Sequence, residues 1–232
     1  MIDWRLDRPA PGVVIAQPAR GFRYAADAFW LAGFALEGGP ARTALDLGTG
    51  SGVVALLLAS RGLDVLGIDV RGEWAEGWQR TLGGSETSGR ARLVHGDLLA
   101  LDVSGGWDLV VCNPPYFRAA DGPPSPDPFK AAARTEGSAT LADVVRVSLS
   151  ALRPAGTAAL VVPVERAQEV ETRAAGLGGA VTERVDVGRR RSLLRLSPTT
   201  GEPVARRSLA EDDPAVLAWY DRFGAGRPPG SR

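Results

Sequence analysis

The sequence is short of the side chains on which most metal sites and many covalent catalysts depend. Its 232 residues include one cysteine and one histidine. A lone Cys112 cannot form an internal disulfide and, at the end of an apolar run, is expected to be an inert core thiol. With His95 as the single imidazole, a histidine-based metal centre or a Ser-His-Asp triad has almost no material. We therefore expect no bound metal, and the scarcity of cysteine is typical of a cytoplasmic protein.

Excess charge and long apolar stretches are also absent. The 27 basic and 27 acidic residues give a net charge of zero, and no apolar run is long enough to span a bilayer. The protein is therefore expected neither in a membrane nor as a general polycation. A local arginine cluster, with Arg189, Arg190 and Arg191 at its centre, could still contact RNA phosphates. Lys130 is the only lysine in the chain, so arginine replaces lysine throughout and the cluster alone is weak evidence.

Strand-like and helix-like segments alternate along the chain, the pattern of a doubly wound α/β fold. The length and the 44% hydrophobic content predict a single domain over 1–232 with an ample core. Within it we expect a strand and helix extension over 1–40, a Rossmann-like core over 41–200 and a tail over 201–232. Strands are predicted at 13–17, 43–47, 63–70, 91–95, 107–112 and 156–162, and helices at 26–36, 53–60, 72–82, 140–152, 165–176 and 214–223. Two last strands, 180–187 and 192–197, are joined by a turn too short for a helix and should pair antiparallel.

A glycine-rich turn follows the strand at 43–47 and opens a helix, the context that a nucleotide-type cofactor site requires. It reads Asp46-Leu47-Gly48-Thr49-Gly50-Ser51-Gly52, and its Gly-x-Gly-x-Gly spacing is tighter than the dinucleotide Gly-x-Gly-x-x-Gly pattern. The Asp46 carboxylate would repel a pyrophosphate but suits an ammonium group. S-adenosylmethionine carries an ammonium and no phosphate, so we favour it over NAD as the cofactor.

Acidic residues at the ends of the next two strands complete the predicted cofactor site. Asp69 ends one strand, where a carboxylate can accept hydrogen bonds from both ribose hydroxyls. Asp97 follows the next strand and could contact the adenine edge, whereas Arg71 is expected to be a solvated first-turn residue. The predicted cofactor contacts from these turns are Asp46, Gly48, Thr49, Gly50, Gly52, Asp69, Val70, Asp97 and Leu98, with Asn113 from the next motif.

The segment Asn113-Pro114-Pro115-Tyr116 follows the strand at 107–112 and predicts what the cofactor is used on. The amino group of adenine is a poor nucleophile because its lone pair is delocalised into the ring. The Asn113 side-chain oxygen and the Pro114 carbonyl could accept both N–H groups and hold the nitrogen pyramidal. Pro115 would fix the direction of that carbonyl, and Tyr116 or Phe117 would stack on a base rotated out of its strand. Asn-Pro turns also occur without any function, but this one lies where ligands of α/β sheets bind.

Together these motifs resemble those of the bacterial tRNA adenine-N6 methyltransferases, which modify the adenosine 3′ of the anticodon in a valine tRNA. The resemblance runs from about residue 12 to 222 and rests on QPARGFRYAADAFWLA, DLGTGSG, NPPYF, ARTEGSATL and ALVVPVER. It implies a class I methyltransferase sheet of seven strands, one of them antiparallel. It also implies that residues 21–27, with Arg23 and Asp27, flank the methionine end of the cofactor and the base pocket. The Pro-rich stretch 123–128 departs from the family pattern.

The expected function is therefore N6-adenine methylation of RNA, with tRNA as the partner and S-adenosylmethionine as the cofactor. The predicted RNA contacts are Tyr116, Phe117, Arg189, Arg190 and Arg191, and we expect a monomer or a weak homodimer. A glutamine-N5 methyltransferase acting on release factors, or an rRNA guanine-N2 methyltransferase, would use the same Asn-Pro-Pro-Tyr segment, so both stay open. A non-enzymatic RNA-binding module is disfavoured because every predicted cofactor contact has a suitable side chain.

Overall fold

An eight-stranded β-sheet forms the centre of the protein. The computed structural model describes residues 2–19, 23–100, 106–114, 139–200 and 204–226. The strands are β1 (Trp4–Ala10), β2 (Val13–Pro18), β3 (Thr43–Leu47), β4 (Asp64–Asp69), β5 (Ala91–His95), β6 (Trp107–Cys112), β7 (Leu152–Pro163), β8 (Ala180–Val187), β9 (Arg191–Ser197) and β10 (Ala205–Leu209). The α-helices are α1 (Ala26–Ala35), α2 (Val53–Ala59), α3 (Ala75–Gly84), α4 (Leu141–Ala151), α5 (Ala167–Gly176) and α6 (Pro214–Asp221). Short 3-10 turns lie at Leu36–Gly38, Gly72–Trp74, Ser88–Arg90 and Val164–Arg166.

The strand order across the sheet is β5-β4-β3-β6-β7-β9-β8-β10. Within the described residues, β9 alone runs antiparallel to its neighbours in this sheet. The expected sheet of seven strands with one antiparallel strand is confirmed by β3 to β9. β10 pairs in parallel with β8 and adds an eighth strand at one edge. Residues 205–209 were expected in the tail, and their sequence Ala-Arg-Arg-Ser-Leu lacks the apolar alternation of a typical strand.

Helices cover both faces of the sheet and bury an apolar cluster on each. α1, α2, α3 and α6 pack on one face, and α4 and α5 pack on the other. The central strands β3 and β6 are buried on both sides and mostly apolar, because neither side faces water. α4 begins with a capping box, in which the Thr140 hydroxyl accepts the backbone N–H of Asp143 at 3.2 Å. None of the described helices is both long and apolar enough to cross a membrane.

A separate antiparallel hairpin, formed by β1 and β2, packs against α3. The backbone N–H of Ala16 donates to the Thr81 hydroxyl at 2.9 Å, and that of Val14 donates to the Ser85 hydroxyl at 2.9 Å. Gln17 of β2 accepts the backbone N–H of Tyr24 at 2.9 Å, so the hairpin also anchors the residues just before α1. The sequence analysis predicted β2 but not β1, whose charged residues interrupt any strand pattern.

α1 and α6, which are far apart in the sequence, pack closely because α1 has a glycine where they cross. A Cβ added at Gly33 would lie 2.4 Å from the Cβ of Trp219. The Trp219 indole N–H donates to Glu37 Oε1 at 2.8 Å, and the Phe34 ring lies 6.1 Å away in an edge-on arrangement. α6 therefore holds α1 in place, and α1 carries Asp27 in its first turn.

Candidate active site

Three neighbouring strands bring the predicted residues of the site to one edge of the sheet. Leu47 of β3 lies opposite Cys112 of β6 and opposite Ile68 of β4. The residue that follows each of these positions was predicted from the sequence to belong to the site. These following residues are Gly48, Asn113 and Asp69. All three therefore lie at the carboxyl ends of adjacent parallel strands, where ligands of open α/β sheets bind.

The glycine-rich turn between β3 and α2 has a backbone conformation that favours glycine. Gly48, Gly50 and Gly52 have φ angles of 68°, 54° and 86°. A Cβ at Gly52 would lie 2.6 Å from Leu93 Cδ1, whereas a Cβ at Gly48 would meet no atom of the described residues within 4 Å. The turn is thus packed tightly against β5, and the described residues leave the space beside Gly48 open, so a ligand can approach its backbone.

Asp46 lies beneath this turn and is almost fully buried. Its Oδ2 accepts the Thr49 hydroxyl at 2.7 Å and the backbone N–H of Ala55 at 3.2 Å. Burial raises the pKa of Asp46 to about 7, although both hydrogen bonds favour the charged form. An ammonium group bound nearby would lower this pKa again, because a positive charge favours the carboxylate.

Asp69 joins the end of β4 to the glycine-rich turn. Its Oδ2 accepts the backbone N–H of Gly50 at 2.8 Å, and its Oδ1 accepts the backbone N–H of Arg71 at 2.9 Å. The Arg71 Nε lies 3.2 Å from the same Oδ1, and the guanidinium lies 5.1 Å above the Trp74 ring. A carboxylate has roughly four acceptor positions, so these contacts leave little capacity for a ligand unless the Arg71 side chain moves.

Two residues that hold the turn were missed by the sequence analysis. Arg71 was expected to be solvated, but its side chain is only 16% exposed because it pairs with Asp69 and covers Trp74. Trp78 of α3 donates its indole N–H to the Gly50 carbonyl at 2.8 Å. Trp74 caps the mostly polar helix α3 and Trp78 lies four residues later within it, and that spacing is the sequence signal that could have identified them.

The other predicted cofactor residues lie beyond β4 and β5. Val70 directly follows β4 and is 52% exposed, which is unusual for a valine in this chain. Asp97 and Leu98 follow β5 and are half-buried. The backbone N–H of Gly96 donates to the Asp69 carbonyl at 3.0 Å, so the two strand ends lie side by side.

Asn113 and Pro114 directly follow β6, next to the first turn of α1. Pro114 is buried and Asn113 is half-buried. The Asn113 side chain hydrogen-bonds the Asp27 carboxylate. Arg191, at the start of β9, lies with its Nε 3.7 Å from Asp27 Oδ2. Burial raises the pKa of Asp27, while Arg191 and the hydrogen bond from Asn113 oppose that rise.

Arg23 lies on the hairpin side of this region and is exposed. Its guanidinium pairs with the Asp7 carboxylate of β1, which also accepts the side-chain amide of Gln17. The neighbouring Tyr24 has a pKa raised to about 12, chiefly by burial. The structure therefore brings Arg23 to the hairpin and not to Asp27.

The turn between β8 and β9 brings two more predicted residues to the same edge of the sheet. β8 ends at Val187, and its direction matches that of β3 and β6. Arg189 and Arg190 follow in the turn and are exposed, and the backbone N–H of Val164 donates to the Arg190 carbonyl at 3.3 Å. Arg191 differs from these two because it reaches inward to the Asp27 carboxylate.

Several predicted residues lie outside the described part of the chain. They are Pro115, Tyr116 and Phe117, the Pro-rich residues 121–128, and Gly21 at the start of the segment that leads to Asp27. Their roles stay predictions from the sequence.

Comparisons with known proteins place this site in a family. A methyltransferase-domain model matches residues 44–135. A tRNA1(Val) (adenine(37)-N6)-methyltransferase of Shewanella amazonensis is 32% identical over 171 residues, which cover 72% of each chain. The chain belongs to this methyltransferase family. A protein of the same name from Aeromonas salmonicida is 35% identical over 134 residues, which span 56% of this chain and 55% of that relative.

A solved structure has the same fold. It is a predicted O-methyltransferase from Agrobacterium tumefaciens, with a TM-score of 0.64 over 87% of this chain and 99% of that one. At 16% sequence identity, the likeness concerns the fold alone. The methyltransferase fold expected from the sequence is therefore confirmed.

Proposed function

We propose that this family member transfers the methyl group of S-adenosylmethionine to the N6 amino group of an adenosine in tRNA, next to the anticodon. The observation that carries the proposal is the register between β3 and β6. It places Asn113 beside Gly48, so a methyl acceptor held by Asn113 would lie next to a cofactor held by the glycine-rich turn. The names of the relatives support adenine-N6 and tRNA as the acceptor atom and the acceptor molecule.

The residues of the turn fit the proposed cofactor. The described residues leave open space beside Gly48, where a ligand can approach the backbone. Asp46 supplies a buried carboxyl whose raised pKa would fall on contact with an ammonium, and Asp69 lies where a ribose would be bound. When bound, the cofactor supplies an electrophilic methyl group.

Asn113 and Pro114 would prepare the acceptor nitrogen. The Asn113 side-chain oxygen and the Pro114 carbonyl are both acceptors, and an amino group offers two N–H donors. Holding both N–H groups would localise the nitrogen lone pair and aim it at the methyl group, a gain by orientation. No strong base is needed in this scheme, because the nitrogen becomes acidic once it is methylated.

Arg189 and Arg190 would contact the phosphates of the RNA. Both are exposed in the β8–β9 turn, at the same edge of the sheet as Asn113. A base that enters the site must bring its flanking phosphates to this edge. Two arginines there would contribute a salt-dependent part of the affinity.

Nucleoside mass spectrometry tests the acceptor. Bulk tRNA and rRNA from cells with and without the gene would be digested and compared. Loss of N6-methyladenosine from tRNA is the expected result. Loss of methylguanosine from rRNA, or of methylglutamine from a release factor, would replace the proposal by one of the two alternatives that share the Asn-Pro-Pro-Tyr segment.

The role of Asn113 is tested with the variant Asn113→Ala. Loss of one acceptor should reduce methyl transfer by at least about a hundredfold and leave cofactor affinity within about threefold. Tritium transfer from labelled cofactor measures the first quantity, and calorimetry measures the second. A fully active variant would remove Asn113 from the acceptor site.

A further inference from the structure

Asp27 contacts Asn113, the proposed acceptor-binding residue. It lies in the first turn of α1, and its carboxylate hydrogen-bonds the Asn113 side chain. The Asp27 side chain is 15% exposed, and its charge partner Arg191 is 30% exposed. These contacts join three elements that are far apart in the sequence: α1, the end of β6 and the start of β9.

A carboxylate decides which way a neighbouring amide points. An ionised carboxylate only accepts hydrogen bonds, whereas an asparagine amide has a donor NH2 on one branch and an acceptor oxygen on the other. The Asn113 NH2 must therefore face Asp27, and its oxygen is directed away from Asp27. In the opposite orientation, the NH2 would face the N–H groups of an incoming amine, and donor would meet donor.

We infer that Asp27 is a positioning residue, which fixes the orientation of the Asn113 amide so that its oxygen is presented to the methyl acceptor. Arg191 is the charge partner that holds the Asp27 carboxylate in place. The inference rests on the proposed function of Asn113 as a hydrogen-bond acceptor. The inference gives Arg191 a different role from Arg189 and Arg190. The Arg191 guanidinium contacts Asp27 at the site, whereas Arg189 and Arg190 are exposed at the surface.

The amide orientation can be measured without any substrate, because Asn113 is the only asparagine in the chain. Protein labelled with 15N-asparagine therefore gives a single side-chain NH2 pair in an NMR spectrum. In the native protein, the proton bonded to Asp27 should be shifted downfield and exchange slowly with water. In Asp27→Leu, and in the smaller variant Asp27→Ala, this proton should shift upfield and exchange faster with water.

Asp64→Leu is the control for this spectrum. Asp64 is an arginine-paired aspartate at the start of β4, at the opposite edge of the sheet, and its loss should leave the Asn113 pair unchanged. An Asn113 pair that is already solvent-like in the native protein, or that does not move in either Asp27 variant, would overturn the inference. The NMR result does not depend on which acceptor is methylated. The inference about Asp27 can therefore fail while the proposed function holds, and the reverse is also possible.

Kinetics give a second readout with the isosteric variant Asp27→Asn, whose amide can donate or accept and so imposes no single orientation. We expect kcat to fall about tenfold to a hundredfold, with KM for the cofactor and for RNA within about threefold. The control is Asp108→Asn, a buried aspartate paired with Arg153 at the amino end of β6, which should lower thermal stability and leave kcat unchanged. An unchanged kcat in Asp27→Asn, or a selective loss of cofactor affinity, would overturn the positioning role.

Discussion

The Asp69 carboxylate accepts the backbone N–H of Gly50 at 2.8 Å, so the end of β4 holds the turn that follows β3. Asp69 thus fixes the turn and lies where a ribose would bind. Asp69→Ala removes both contributions, and hydrogen bonds to a charged group contribute about 1.5–3 kcal/mol each. We expect the dissociation constant of S-adenosylmethionine to rise at least about tenfold, measured by calorimetry.

Asp64→Ala is the matched control, since Asp64 begins the same strand and its side chain is 67% exposed. Cofactor affinity in this variant should equal that of the native protein. Equal affinity in Asp69→Ala as well would remove Asp69 from the cofactor site.

The buried Asp46 carboxyl predicts a pH-dependent stability. Its pKa is about 7 in the folded protein against an ordinary value of 3.8. Between these values the folded state binds more protons than the unfolded state, so this group makes the folded state less stable as pH rises from about 4 to about 7.

Asp46→Asn keeps an acceptor oxygen for Thr49 and Ala55 but cannot ionise. The free energy of unfolding of Asp46→Asn minus that of the native protein should therefore increase as pH rises over that range, by up to about 4 kcal/mol. Urea unfolding at pH 5 and pH 8 measures the difference, and a gap that does not change with pH would contradict the assigned pKa.

The same group predicts how cofactor binding depends on pH. A bound ammonium favours the charged carboxylate, so affinity of the native protein should rise as pH increases through about 7. It should fall again above about 8, where an α-amino group loses its own proton. Calorimetry across this range checks both limbs. Asp46→Asn should bind more weakly and lack the rise near neutral pH, whereas an identical rise in that variant would assign it to another group.

The pattern of apolar residues predicted most strands of the fold but missed β1 and β10. The observed bounds of β3, β5 and β6 agree with the predicted bounds; β3 and β6 are mostly apolar, and β5 combines buried apolar residues with exposed polar ones. β1 and β10 carry exposed arginines, and no periodicity distinguishes such strands from loops. They form because a partner strand offers unpaired backbone groups, which is a property of the assembled sheet.

The candidate site also has features that the sequence predicted and features that depend on tertiary packing. The positions of Gly48 and Asp69 relative to Asn113 followed from the sequence, since the ends of parallel strands meet at one edge. The contact between Asp27 and Asn113 depends on how α1 packs on the sheet, and no local pattern contains that information. The spacing of Trp78 from Trp74 could have drawn attention to it, but its bond to Gly50 needs α3 to be in place.

The exposed arginines of the β8–β9 turn predict a salt-dependent RNA affinity. The double variant Arg189→Ala, Arg190→Ala should weaken tRNA binding and reduce the slope of log affinity against log salt by about 1.5, for two phosphate contacts. Filter binding at several salt concentrations measures both quantities. The control is Arg61→Ala with Arg90→Ala, which makes the same change in charge on exposed residues at the opposite edge of the sheet. Equal slopes for the two double variants would show that the turn has no special role.

The crossing of α1 and α6 predicts that a single added methyl group disturbs the site from a distance. Gly33→Ala would place a Cβ 2.4 Å from Trp219, so the helices must separate, at a cost of about 1–3 kcal/mol in stability. Because α1 carries Asp27, the same separation should loosen the hydrogen bond to Asn113 and lower kcat.

Gly83→Ala is the control, since Gly83 lies in α3 and a Cβ there would meet no described atom within 4 Å. That variant should be neutral or stabilising by about 0.5–1 kcal/mol through helix propensity. Thermal unfolding and kcat are measured on both variants. Equal stability of Gly33→Ala and Gly83→Ala would contradict the close packing at Gly33.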